Sequence, residues 1–170
     1  MTTIKKSQHV KRSSTVFLKL VLVLIGIGTI ALLLWEPHLE GRNVNATLFE
    51  MYFKDPFLAY IYMGSIPFFV ALYQAFKLLG YIERSEVFSQ PAVKTLRTIK
   101  YCGLTIITLL VGAEGYIVIV QRKAEEDIAG GVAVGIVIIF LTIVITTAAA
   151  VFEKTLQSAV DIKSENDLTV

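Results

Sequence analysis

The chain has 170 residues, 55 % of them hydrophobic and 18 % charged, with a formal net charge of +2 and a mean hydropathy of +0.66. Soluble domains carry about a quarter charged residues, so this balance excludes an ordinary soluble domain. One cysteine, Cys102, excludes an internal disulfide framework.

The charges are clustered and leave four apolar windows, residues 16–35, 57–79, 101–120 and 128–152. Each approaches the roughly 20 residues a helix needs to cross a hydrocarbon core of about 30 Å. They predict an all-α integral membrane protein, with four transmembrane helices in an antiparallel bundle. Residues 1–170 then form a single membrane domain with a tail over 153–170, and no room remains for a sizeable soluble domain. Lys and Arg set the orientation, because they concentrate on the cytoplasmic side. The N-terminal arm, the second connection and the tail hold twelve of them, and the other two connections hold four. Both termini are therefore expected in the cytoplasm.

In chain order, Met1–Ser14 reads as a flexible basic arm. The first window is longer than a signal-peptide core and lacks an A-x-A-like site, which predicts an uncleaved signal anchor ending at Trp35. In the first outer connection, Asn45 is placed to cap a short interfacial helix with Leu48, Phe49, Tyr52 and Phe53 on one face. Asn45-Ala46-Thr47 also matches the glycosylation sequon. Pro67 in the second window cannot donate to the carbonyl of Met63, so a kink is expected near Met63–Gly64.

Ser89 and Pro91 then mark a helix start that leads into the third span. Lys94, Arg97 and Lys100 repeat every third residue, a stripe suited to lipid phosphates at an anionic surface. The third window holds Glu114, the only acidic residue well inside an apolar stretch. The short connection Gln121–Asp127 makes spans three and four antiparallel neighbours. Gly131 and Gly135 form a small-xxx-small pair for close helix packing. Beyond the last window, Phe152, Leu156, Ala159, Val160 and Lys163 fall on one helical stripe. That stripe suits a groove on a partner or the inner-connection helix of the same chain; in the second case Glu165, Asn166, Asp167 and Leu168 are left for a partner.

Counting depth from the connections brings Glu114 to the level of Gly135, Ser65, Tyr62 and Thr29. A carboxylate near the bilayer centre costs about 2.5–3.5 kcal/mol, so it must face the bundle interior and find a partner. Two readings stand. One is a polar pocket around Glu114, Tyr62, Ser65 and Thr29 for a cation, a proton or a small polar ligand. The other is a packing hydrogen bond to Ser65, Tyr62 or a carbonyl freed by Pro67. His9 and His38 are assigned to opposite sides of the membrane, and no metal site or cofactor is expected. The sequence contains no P-loop, G-x-S-x-G, H-E-x-x-H or C-x-x-C, so no enzyme is expected.

Three stretches carry a family likeness: Ile66–Gln74, Val87–Lys100 with its Val87-Phe88-Ser89-Gln90 opening, and the ending Asp161–Val170. Together they resemble the DUF2975 (YoaS-like) family of four-span bacterial membrane proteins of unknown function. The resemblance implies multi-pass residence in a bacterial cytoplasmic membrane. It implies no catalytic residue. Genes of that family often adjoin one for a small helix-turn-helix regulator of the Xre/Cro type, which implies such a regulator as partner. The first functional expectation is accordingly a membrane anchor or sensor acting with that regulator, without direct nucleic-acid binding. The alternative is a homo-oligomeric transporter, channel, or export or immunity factor with Glu114 on its pathway.

Overall fold

The computed structural model describes residues 2–35, 56–120 and 129–167. The described residues form four helices: α1 (Thr2–Trp35), α2 (Pro56–Glu83), α3 (Gln90–Val120) and α4 (Ala129–Asp167). All four are long and apolar enough to cross a membrane. The expected interfacial helix after Asn45 and the connection Gln121–Asp127 lie outside the described residues.

Residues 2–14 differ from expectation. They are helical and continue α1 rather than forming a flexible arm. The segment contains neither proline nor glycine, and extending an existing helix needs no new nucleus. The second helix runs unbroken through Pro67 and passes the expected end of its span to reach Glu83.

A six-residue turn, residues 84–89, joins α2 to α3. Ser85 takes the left-handed conformation, φ 58°, that commonly ends a helix. Ser89 occupies the N-cap position, since its carbonyl accepts from the N–H groups of Ala92 and Val93. Its hydroxyl, however, donates to the Glu86 carbonyl at 2.6 Å. Ser89 therefore ties the turn together with the side chain expected to cap the helix.

The chain divides into two compact units, Met1–Arg84 and Ser85–Val170. In the first, Lys19 of α1 pairs with Glu83 at the end of α2, while Leu33 accepts a hydrogen bond from Tyr62 near the start of α2. Early residues meet late ones, so α1 and α2 are antiparallel. In the second, Arg97 and Lys100 meet Glu153, and Glu114 meets Gly135. The same crossing order makes α3 and α4 an antiparallel hairpin.

Among the described residues, the buried apolar side chains are Ala92, Val93, Leu96, Ala149, Leu156 and Val160, all in the second unit. At 1.5 Å per residue the 39 residues of α4 extend about 58 Å, nearly twice a hydrocarbon core. Its apolar part ends at Phe152, and the buried cluster of Leu156 and Val160 lies beyond it. The best-packed part of the hairpin is thus a stem outside the apolar stretch.

Candidate functional site

The face that α4 turns to its partner has a regular spacing. Val132, Gly135, Ile139, Thr142, Thr146, Ala149, Glu153, Leu156 and Val160 are buried or half-buried, and they alternate at three- and four-residue intervals. An apolar-in, polar-out pattern could not reveal this face, because α4 is apolar all round up to Phe152. Within lipid, helices associate by close packing rather than by hydrophobic burial, so small residues mark the contact instead. Gly135, Thr142, Thr146 and Ala149 are those residues. Alpha-3 presents Gly103 in return: a β-carbon there would overlap the Thr146 hydroxyl.

At the stem end of this seam sits Glu153, whose side chain is only 8 % exposed. Arg97 donates from Nε to Oε1 at 2.7 Å and Lys100 from Nζ to Oε2 at 2.6 Å. Both carboxylate oxygens are therefore taken by cations. Together, the Arg97 and Lys100 hydrogen bonds hold the Glu153 carboxyl below its ordinary value of 4.5. Lys100 also lies 4.8 Å from the centre of the Tyr101 ring. This clasp changes the reading of the basic stripe. Two of its three members are engaged by Glu153, and Lys94 alone stays outside the clasp, exposed.

Glu153 itself went unmarked in the sequence, where it reads as the first polar residue of a tail. A signal was present nonetheless. Counting back through the short connection between spans three and four sets residue 153 opposite residues 97–100 in an antiparallel pair.

At the other end of the seam, Glu114 rests over Gly135. A β-carbon on Gly135 would overlap the Glu114 carboxyl, so the missing side chain is what makes room for it. Glu114 Oε2 is buried and has no hydrogen-bond partner among the described residues. Gly131, the other half of the small-residue pair, has open space around it.

Thr29, Tyr62 and Ser65 belong to the first unit, and each hydroxyl is committed there. Thr29 donates to the Ile25 carbonyl at 2.9 Å and Ser65 to that of Tyr62 at 2.7 Å. Tyr62 donates across the hairpin to the Leu33 carbonyl at 2.7 Å. Pro67 is half-buried in the same unit.

The stripe expected on the last turns is only partly the buried one. Leu156 and Val160 are buried and Ala159 is half-buried, but Phe152 is 63 % exposed and Lys163 is exposed. The seam advances by seven residues every two turns, which brings Glu153 rather than Phe152 to the contact line. Glu165 and Asn166 are exposed on the final turn, and neither is without an interaction of its own. Asp167 closes α4, and Leu168 lies outside the described residues.

Residues 45–170 match the family described as "Protein of unknown function (DUF2975)". The chain is also 46 % identical over 161 residues to the "Uncharacterized membrane protein YoaS" of Bacillus subtilis (strain 168), covering 94 % of this chain and 99 % of that one. No solved structure matches. The chain belongs to the DUF2975 family, and with four helices of spanning length it is a membrane protein.

Proposed function

We propose that this member of the DUF2975 family is a non-enzymatic membrane anchor and sensor for a small cytosolic helix-turn-helix regulator. The observation that carries this reading is the unbroken course of α4. One helix runs from Ala129 through the apolar stretch to Asp167, and its last turns pack as a stem against the start of α3. A displacement at the Glu114–Gly135 end is thereby transmitted to the stem without an intervening hinge. The charge asymmetry supports a stem on the cytoplasmic side of a bacterial cell membrane. The acidic side chain of Glu165, exposed on its last turn, complements the basic surface of a DNA-binding partner. The regulator class is the one the family resemblance implies. Glu153 engages two of the nearby cations, which supports a stem that contacts a protein rather than nucleic acid.

Co-purification from native membranes tests this reading. The full chain should retain the regulator, and a chain ending after Lys163 should lose it. Retention by the shortened chain would remove the tail from the proposal.

A second reading rests on the unpartnered Oε2 of Glu114. In it, a homo-oligomer conducts protons or a small cation past that carboxyl. Flux into liposomes that persists in Glu114→Gln would end it.

A further inference from the structure

We propose that the α3–α4 hairpin has a second register, one helical turn away from the one shown, and that α4 slides between the two. Three contacts set the register shown: Glu153 with Arg97 and Lys100, Thr146 against Gly103, and Gly135 against Glu114. Each is duplicated one turn away. Lys94 precedes Arg97 by three residues, Thr142 precedes Thr146 by four, and Gly131 precedes Gly135 by four. Sliding α4 four residues toward its C-terminus, about 6 Å, brings all three duplicates into place together. Gly131 then receives Glu114, Thr142 faces Gly103, and Glu153 reaches the pair Lys94 and Arg97. Packed seams move between such discrete arrangements rather than by continuous deformation.

Phe152 for Leu156 and Ile145 for Ala149 are apolar for apolar, while Ile138 takes the place of Thr142 and Ala149 that of Glu153. Four residues turn a helix about 40° past a full revolution, so α4 rolls as it slides. Phe152 and Ile145, both exposed in the register shown, turn toward α3. Neither threonine needs a new partner, because Thr142 already donates to Ile138 and Thr146 to Thr142. The open space around Gly131 leaves it able to receive a side chain. Ile145 is bulkier than the Ala149 it would replace at the seam, which makes the shifted register the minority one.

The inference does not depend on any partner. The pull-down reads loss of a regulator, whereas the slide is read by disulfide trapping in native membranes, in a Cys102→Ser background. Disulfides require α-carbons about 4.4–6.8 Å apart, so one turn separates the two states. Leu96→Cys with Leu156→Cys reports the register shown. Leu96→Cys with Phe152→Cys reports the shifted one. A second layer, Val93→Cys with Val160→Cys or with Leu156→Cys, repeats the reading should one pair disturb the fold.

Both pairs should cross-link, the shifted pair in the smaller amount. Lys100→Gln should raise the shifted share by about threefold to tenfold, and Lys94→Gln should lower it similarly, the scale of one partly exposed charged hydrogen bond. Absence of the shifted pair even in Lys100→Gln overturns the proposal. So does a shifted share that ignores both substitutions.

Discussion

The two hairpins share a plan and differ in how they are fastened. Each joins its helices through a basic side chain and a carboxylate near the same end, Lys19 with Glu83 in one and Arg97 and Lys100 with Glu153 in the other. In the first, the paired side chains keep 21 % and 25 % of their surface, Lys19 also lies 5.3 Å from the centre of the Phe76 ring, and Tyr62 donates to the Leu33 carbonyl. Thr15 is the one described residue of that unit in the buried class. In the second, the carboxylate is nearly covered and an apolar stem surrounds it. Helices within lipid gain little from hiding apolar groups. A hairpin that projects beyond it gains the full hydrophobic term, and the sequence uses that stem to fix the helices.

The contrast can be broken most forcefully at the stem. Leu156→Ala should cost about 3 kcal/mol, because it empties a buried site in water-facing structure. Leu22→Ala, half-buried in the first hairpin, should cost less than half as much. Unfolding of the purified protein by titration with a denaturing detergent measures both.

Glycine replacements come next. Gly103→Ala meets Thr146 and should destabilise by about 2 kcal/mol in the same titration. Gly26→Ala meets nothing within 4 Å and should be neutral or stabilising by about 0.5 kcal/mol. Equal effects at the two glycines would erase the distinction between a seamed hairpin and an open one.

The ion pairs give smaller effects. Glu153→Gln should cost about 1 kcal/mol, since its partners stay partly solvated. Lys19→Gln should cost about 0.5 kcal/mol or less.

The smallest effect concerns acid. A carboxyl held below its ordinary 4.5 contributes fully above that value and loses its contribution as pH falls through the lowered one. Stability in the same detergent titration should therefore be equal at pH 7 and pH 5, and fall only below about 4.5. Glu153→Gln should remove that acid dependence.

Which of these features could be read beforehand follows from what each one displays. The spans were legible because apolar windows of that length have one common use. The level shared by Glu114 and Gly135 followed from counting out of a short connection. The clasp stayed hidden because Arg97 and Lys100 already had a sufficient explanation as membrane-surface charges, and Glu153 looked like solvated tail. The seam of α4 was obscured by a uniformly apolar surface, in which only the placement of Thr142, Thr146 and Ala149 set one face apart. The helical course of Thr2–Ser14 is hidden by a polar composition, which suits a flexible arm as well as it suits a helix without breakers.

One detail of side-chain chemistry bears on how far each helix depends on its neighbour. Thr29, Thr105, Thr108, Thr142 and Thr146 each donate their hydroxyl to the carbonyl four residues back. A helix carrying such groups enters lipid with its polar atoms already satisfied and needs no neighbour to do so. Glu114 has no such outlet, and the cover for its carboxyl is Gly135 of the next helix. The third helix therefore depends on the fourth to cover its one intramembrane carboxyl, a dependence that its threonines do not impose.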